Sequence, residues 1–324
     1  MNNKITVIGA GSFGTALAVT LTDKGYDTSI WGRKKSQLAL MEETRENPHY
    51  LPGIKLPKEL KMIHDMKTAL KDATIVVFAV PAQNFRKVFE EAAVYMPSDA
   101  VAVNVAKGIE KGSLMRLSQI AMQIKTDVKY AVLSGPSHAE EIARKLPTTV
   151  AVASADRETA LMIQDIFNTE RLRVYTNDDM TGVELGGALK NIIALGAGIS
   201  DGMGFGDNAK AAMMTRGLVE MCRLGCAMGA DINTFSGLTG LHSRNRRCGI
   251  LMGKGIPAAE AAEEVGMAVE GISTAQAAES LAKQYGIEMP ITESICALIR
   301  GEMRPEEAAS LLMGRKTKNE MHIF

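Results

Sequence analysis

The hydrophobic pattern divides the chain into two halves of different character. Continuous apolar runs bounded by Gly or Pro predict strands buried on both faces of a parallel sheet, and amphipathic stretches between them predict helices. We predict strands at 4–9, 27–31, 74–80, 100–106, 130–133, 148–153 and 172–175, with helices at 12–24, 83–95, 113–124 and 156–167. From Asp178 onward, helical stretches rich in Ala, Met, Glu and Leu follow without a strand pattern.

Strands that alternate with helices are typical of an α/β fold with a parallel sheet and right-handed crossovers. We therefore expect a first domain over residues 1–178 and an all-α domain over residues 179–324. No low-complexity linker separates the halves, so we expect them to pack closely.

Charge and cysteine content exclude several classes of function. The 37 basic and 37 acidic residues cancel, so no global field attracts nucleic acid or an acidic membrane, although a local basic patch can bind a small anion. The four cysteines form no CxxC pair, and Cys222 and Cys226 have no second pair of ligands. We expect reduced thiols in a cytoplasmic protein without a metal site.

An uncharged run near the N-terminus, Ile5 to Thr22, has two possible interpretations. A signal peptide is conceivable, but glycines interrupt the run and no small-residue cleavage pattern follows it. We interpret it as a strand, a turn and a helix. Other uncharged apolar runs are too short to span a bilayer, so no membrane insertion is expected.

The turn in this run carries the sequence Gly9-Ala10-Gly11-Ser12-Phe13-Gly14, which matches G-x-G-x-x-G. It follows a predicted strand and opens a helix, which is the context that a dinucleotide-binding loop requires. Gly9 allows the tight turn, Gly11 lets the pyrophosphate approach the backbone, and Gly14 lets the helix pack on the strand. The alternative is a Gly-rich turn without a ligand.

The second predicted strand ends in Trp31-Gly32-Arg33-Lys34, without the acidic residue that usually binds the ribose of NAD. Arg33 and Lys34 are suited to a 2′-phosphate. We therefore expect NADP(H) to be accepted and preferred over NAD(H). The alternative is a solvated basic turn.

Four further segments carry unusual polar residues: 104–108 and 134–139, each just past a predicted strand, then 184–208 and 242–247. The stretch LGGALKNIIALGAGISDGMGFGDNAKAAMMTRG in the third resembles the core of the bacterial NAD(P)-dependent glycerol-3-phosphate dehydrogenase family. The blocks GAGSFGTALA, VFAVPAQ, AKGIE, LSGPSHAEE, SRN and VEGI resemble other blocks of that family in the same order. The resemblance covers nearly the whole chain.

The resemblance implies reversible hydride transfer between dihydroxyacetone phosphate and sn-glycerol 3-phosphate, for glycerophospholipid synthesis. It also implies a Rossmann doubly wound sheet followed by an all-α domain of the 6-phosphogluconate dehydrogenase type. By resemblance, Lys190 is the proton donor and acceptor. The implied substrate ligands are Lys107, Gly135, Ser137, Lys190, Ser243, Arg244 and Asn245, and the implied cofactor ligands besides the three glycines are Ser12, Phe13, Arg33, Lys34, Lys107, Ala139, Arg244, Ala268 and Glu270.

Physical chemistry supports the implied role of Lys190. Hydride addition to a ketone builds negative charge on oxygen, so a proton donor must lie within hydrogen-bond reach. A lysine partly desolvated between the domains, near Lys107, should have a lowered pKa. The alternatives are a snorkelling surface residue for Lys190 and a plain loop charge for Lys107. We expect a structural role for His138, and expect Asp207 to cap a helix or orient a neighbour.

One departure from the family follows Gly240-Leu241. The family there carries about ten more residues, which begin Gly-Asp-Leu and include an Asp that resembles a substrate ligand; here Leu241 runs directly into His242. Our hypothesis is that the stretch exists but is missing from the numbered chain, and the alternative is a true deletion.

Two other functions stay open at this point. One is a different reductase of the 6-phosphogluconate dehydrogenase type, and the other is a cofactor-binding sensor without turnover. The presence of Lys107, Lys190 and Arg244 together argues against a sensor, which needs only the first domain. Apolar helices in the second half make a homodimer plausible.

Overall fold

The protein forms two compact units that do not follow the chain in simple order. The structure, a computed structural model, describes residues 3–238, 243–266 and 268–314, without the side chains of residues 243 and 244. The first unit comprises residues 1–106 and 117–183, and the second comprises 107–116 and 184–324. The segment 107–116 thus belongs to the second unit although it interrupts the first, and the domain boundary after residue 178 stays a prediction.

The first unit is built on an eight-stranded sheet in the order β10-β9-β8-β7-β6-β1-β2-β5, and β3 pairs separately with β4. Strands β2, β1, β6, β7 and β8 are parallel, as predicted, and β5, which was not predicted, pairs in parallel with β2. The strands are β1 Lys4–Ile8, β2 Asp27–Trp31, β3 Glu46–Asn47, β4 Leu51–Lys55, β5 Lys61–Ile63, β6 Ile75–Phe78, β7 Val101–Asn104, β8 Lys129–Ser134, β9 Thr148–Ser154 and β10 Leu172–Asn177.

The last two strands run opposite to the others, which the hydrophobic pattern did not predict. Strand β9 is antiparallel to β8 and parallel to β10. The helix that connects β8 to β9 has only five residues, Ala139–Ala143. It spans about 7.5 Å, whereas a return along the six-residue β8 needs about 20 Å. The chain therefore turns back at the edge where β8 ends.

Seven helices connect these strands: α1 Ser12–Asp23, α2 Lys35–Thr44, α3 Met66–Leu70, α4 Phe85–Ala93, α5 Leu117–Ile124, α6 Ala139–Ala143 and α7 Arg157–Phe167. Side-chain carboxylates cap α3 and α7, since Asp65 accepts from the backbone of Thr68, and Asp156 from Glu158 and Thr159. The predicted helix 113–124 starts only at Leu117, because Arg116 forms a β-bridge with Ile109.

From residue 184 onward, every regular element in the described part of the second unit is a helix, as predicted. Its helices are α8 Met180–Gly202, which begins in the first unit, and then α9 Asp207–Ala227, α10 Ser243–Gly253, α11 Ala258–Val265, α12 Glu270–Tyr285, α13 Pro290–Arg300 and α14 Pro305–Met313. By length and composition alone, α8 passes as a membrane span, but its most apolar window is entirely buried inside the protein. It is therefore a core helix of the protein.

Candidate active site

The glycine loop after β1 has the form of a cradle for a phosphate. A Cβ on Gly9 would lie 2.4 Å from the Ala79 carbonyl oxygen, and one on Gly14 would lie 2.0 Å from the Gly9 carbonyl oxygen. A Cβ on Gly11 would meet nothing within 4 Å. Gly9 and Gly14 are therefore needed for packing, while Gly11 leaves open space before the helix start. This geometry fits a bound pyrophosphate.

Two polar side chains that the sequence did not single out hold this loop. Gln37 Nε2 donates to the Ala10 carbonyl at 2.6 Å, and Asn47 Nδ2 donates to the same oxygen at 3.0 Å and to Thr15 Oγ1 at 2.9 Å. The hydroxyl of Ser12 donates to the Tyr50 carbonyl at 2.6 Å. Because nothing local marks Gln37 or Asn47, no sequence signal reveals their roles.

The end of β2 presents two cations at the sheet edge where ligands of open α/β sheets bind. Arg33 and Lys34 are exposed, and Lys34 is the N-cap residue of α2. Trp31 beneath them is buried, and no acidic residue occurs between it and Glu42. The absence of a ribose-binding carboxylate follows from the sequence itself.

The segment after β8 is shaped by close approach to β9. A Cβ on Gly135 would lie 2.8 Å from the Val150 Cα, so only glycine fits there. Ser137 is buried, and its hydroxyl donates to the Gly135 carbonyl at 3.2 Å. Ala139 is buried in a small cluster with Ala16, Leu51 and Ile142. Predicted ligands therefore have packing functions too, and their binding roles remain predictions.

In the second unit, two contacts anchor the segment 107–116, which begins with Lys107. Ile109 is fully buried in the core cluster of this unit. Arg116 Nη1 forms a 2.6 Å ion pair with Glu184 Oε2, with both side chains largely buried. Since Glu184 lies on α8 six residues before Lys190, this pair fastens the Lys107 segment to the helix that carries Lys190. Lys107 itself is 8% exposed.

Lys190 has an unusual environment for a charged residue. Only 2% of its surface is exposed, and Leu189 and Ile192 beside it are buried as well. Burial lowers the pKa of its ammonium group from 10.5 to about 7. The adjacent Asn191 has a buried Oδ1 without a hydrogen-bond partner among the described residues. Lys190 can therefore carry a proton near neutral pH, and Asn191 Oδ1 can accept a hydrogen bond from a ligand's hydroxyl group.

Helices α8 and α10 touch backbone to backbone. Gly198 and Gly202 on α8 face Gly249 and Gly253 on α10; a Cβ on Gly249 would lie 2.1 Å from the Leu195 carbonyl oxygen. The contact needs glycine on both helices. The glycines of α8 were noted in the sequence, but those of α10 were not. This contact fixes the start of α10, which carries the predicted phosphate ligands.

Asn245 on α10 has a structural contact that the resemblance did not indicate. Its Oδ1 accepts a hydrogen bond of 2.9 Å from the backbone N–H of Gly271, in the first turn of α12. Asn245 is buried and replaces a missing side-chain cap at the N-cap residue Val269. Because Oδ1 is engaged with Gly271, the predicted contact of Asn245 with substrate would be made by its amide nitrogen, Nδ2.

The other predicted residues have varied surroundings. The side chains of Ser243 and Arg244, and the shortened segment at residues 239–242, lie outside the described residues. Ala268 is exposed and Glu270 begins α12. His138 is the N-cap residue of α6 without a side-chain cap bond. Asp207 orients a neighbour, because it pairs with Lys210 at 3.1 Å while Gly206 is the N-cap residue.

Leu241 is followed directly by His242 in the sequence. The hypothesis that the family's additional stretch exists outside the numbered chain stays a prediction, and a true deletion stays its alternative.

Comparison with known proteins gives one answer along the whole chain. Residues 4–160 match the NAD-dependent glycerol-3-phosphate dehydrogenase N-terminus and residues 179–310 match its C-terminus. The Pelotomaculum thermopropionicum glycerol-3-phosphate dehydrogenase [NAD(P)+] is 48% identical, with 99% of this chain and 96% of the relative covered. The Bacillus subtilis enzyme of that name is 47% identical, with 98% and 96% covered.

A solved structure extends this agreement to the fold. The crystal structure of glycerol-3-phosphate dehydrogenase from Coxiella burnetii superposes with a TM-score of 0.93 at 36% identity, over 97% of this chain and 99% of that one. The predicted Rossmann sheet followed by a helical domain is thereby confirmed. With both family models matched in order and relatives near half identity over full length, the chain belongs to the NAD-dependent glycerol-3-phosphate dehydrogenase family.

Proposed function

We propose that this protein reduces dihydroxyacetone phosphate reversibly to sn-glycerol 3-phosphate with NADPH or NADH, for glycerophospholipid synthesis. The observation that carries the proposal is Lys190, a buried lysine with a pKa of about 7 in a chain of this family. An amine that titrates near neutrality serves both directions of a reversible reaction, since each protonation state is well populated.

The cofactor supplies or accepts the hydride when bound, and the protein orients it. The glycine loop offers backbone donors and open space to the pyrophosphate, and the basic turn after β2 favours a 2′-phosphate over a free hydroxyl. The residues proposed to hold the cofactor are Gly9, Gly11, Ser12, Phe13, Gly14, Arg33, Lys34, Lys107, Ala139, Arg244, Ala268 and Glu270. Ser12 would act through its backbone, because its hydroxyl is bound to Tyr50.

Lys190 handles the proton in this proposal. During reduction, its ammonium group donates a proton to the carbonyl oxygen as that oxygen gains negative charge. During oxidation, its neutral amine removes the proton from the hydroxyl group. Substrate contacts are proposed for Lys107, Gly135, Ser137, Ser243, Arg244 and Asn245, because a phosphate dianion binds best where cations and N–H or O–H donors converge.

A cytoplasmic location, a homodimer and a domain boundary after residue 178 belong to the same proposal. Four cysteines without a disulfide, three of them buried, support a reducing compartment.

The test is loss of reduced-nicotinamide absorbance with dihydroxyacetone phosphate. We expect turnover in the wild type, at least a thousandfold loss of kcat in Lys190→Met as is common for removal of an essential acid, and unchanged NADPH binding by fluorescence titration. Lys254→Met, an exposed lysine just after α10, is the matched control and should retain full activity. Wild-type kcat in Lys190→Met would contradict the proposed role.

A further inference from the structure

A cavity of about 360 Å³ lies within the first unit, beside the basic turn that follows β2. Its walls come from the ends of β2 and β5, from the start of α3 and from α4. Of the residues that line it, only Arg33 belongs to the predicted cofactor ligands. The cavity therefore offers binding groups that the glycine loop and the family resemblance leave unassigned.

Hydrogen bonds hold the walls in place without a ligand. Trp31 Nε1 donates to the His64 carbonyl at 2.7 Å, and His64 Nδ1 lies 3.0 Å from the Gly32 carbonyl oxygen. Asp65 caps α3 by accepting from the backbone N–H of Thr68 at 2.7 Å. The loop after β5 is thus fastened to the end of β2, which brings the α3 start and the basic turn to one cavity.

Three cations line this cavity: Arg33, Lys67 on α3 and Lys87 on α4. All three are exposed, and among the described residues none of their side chains forms a hydrogen bond or an ion pair within 4 Å. Two carboxylates, Asp65 and Glu91, also line the cavity, so the three cations exceed them by one charge. Lys67 interacts electrostatically with Asp65, which also caps α3. Positive charge is therefore in excess where three elements meet.

The same cavity has an apolar part. Trp31, 6% exposed, lies at its base, Val88 contributes from α4 and Tyr95 from the turn that follows α4. A flat heteroaromatic ring suits such a surface, and an anionic group suits the cationic rim. Free phosphate uses only the rim, whereas a 2′-phosphorylated adenosine uses both parts.

We propose that this cavity binds the adenosine 2′-phosphate end of NADPH, and that Lys67 and Lys87 act with Arg33 as determinants of cofactor preference. The inference rests on the proposed function for the identity of the cofactor. Its new content is that preference for the 2′-phosphate is set by α3 and α4 as well as by the turn after β2. Because the three cations are exposed, the gain is electrostatic and weakens with salt.

The test compares binding of 2′,5′-ADP and 5′-AMP by calorimetry, so that turnover plays no part. The variants are Lys67→Met, Lys87→Met and the double variant, since methionine keeps most of the apolar stem. We expect each substitution to weaken 2′,5′-ADP binding about fivefold to tenfold, as for loss of a charge-assisted contact, with 5′-AMP binding unchanged. Lys58→Met, an exposed lysine of the same unit outside the cavity, is the matched control and should change neither.

The outcomes separate this inference from the proposed function. Wild-type-like binding of 2′,5′-ADP by both lysine variants overturns the role of Lys67 and Lys87 and leaves the cofactor assignment intact. Equal weakening of both nucleotides overturns it too, because the lysines would then bind no 2′-phosphate. Wild-type protein that binds NADH but neither NADPH nor 2′,5′-ADP overturns this inference alone, and wild-type protein that binds none of the three overturns the proposed function as well. Competition by inorganic phosphate as strong as that by 2′,5′-ADP identifies a simple anion site and contradicts the adenosine assignment.

Discussion

The two units place their functional groups by different means. In the first unit, backbone geometry does so: glycines at strand ends shape the loop after β1 and the turn after β8. In the second unit, buried side chains do so: Glu184 holds Arg116, and Asn245 holds Gly271. Backbone placement is local and leaves a short motif, whereas the Arg116–Glu184 pair joins residues 68 positions apart.

The largest effect is expected where the second unit also relies on glycine. In Gly249→Val, a side chain would meet the backbone of α8, and we expect the free energy of unfolding to fall by about 3 kcal/mol or more in urea titration. The matched control is Gly11→Ala in the first unit, where a Cβ has open space. It should keep its stability within about 0.5 kcal/mol and lose NADPH affinity.

If Gly11→Ala were destabilised as strongly as Gly249→Val, the loop before α1 would be a packing element. The assignment of open space at Gly11 to a ligand would then be wrong.

The second prediction concerns the Arg116–Glu184 pair as a positioning device. Glu184→Gln leaves a buried guanidinium without its counter-charge, so we expect about 2 kcal/mol lower stability and about tenfold lower kcat/KM for dihydroxyacetone phosphate. NADPH binding should be unchanged, and backbone amides of residues 107–116 should exchange hydrogen faster. Mass-spectrometric hydrogen exchange and steady-state kinetics measure these effects.

Glu279→Gln is the matched control for that pair. Glu279 lies on α12 of the same unit, pairs with Arg300 at 2.9 Å and has a side chain 12% exposed. It should leave kcat/KM and exchange in residues 107–116 unchanged. Equal losses of kcat/KM in the two variants would mean that the Arg116–Glu184 pair only stabilises the fold and does not position the segment 107–116.

The smallest effect concerns Glu220, a buried carboxyl group of α9 that accepts hydrogen bonds from the backbone of Ile291 and Thr292 at the start of α13. Burial raises its pKa from 4.5 to about 7, and the charge of Glu293 adds to this increase. The folded state therefore binds the proton more tightly, and this group's contribution to stability falls as pH rises from about 4.5 to 7.

In Glu220→Gln, that pH dependence should flatten by on the order of 1 kcal/mol, as read from the free energy of unfolding at several pH values across the window. A wild-type slope in this variant would mean that another group titrates.

The comparison of units also explains what the sequence could predict. Strand Asp27–Trp31 was located correctly, because apolar strands and glycine turns are local patterns. The hairpin of β3 and β4 was missed, because strands of two and five residues with few buried side chains leave no apolar pattern. The roles of Gln37 and Asn47 were missed, because their partners Ala10 and Thr15 lie elsewhere in the chain. Lys190 was found by resemblance, and its burial agrees with the expected lowered pKa. The role of Gly249 and Gly253 on α10 could not be predicted, because it depends on the contact with α8.

The central claim is that the buried Lys190 amine donates the proton in one direction and accepts it in the other. The most direct test is the pH dependence of kcat/KM for both directions, because this quantity reports the free enzyme. With a pKa of about 7, reduction should slow as pH rises through that value, and oxidation should speed up. Lys190→Met should lose both dependences. Equal pH dependence in the two directions, or an inflection near the ordinary lysine value, would contradict the claim.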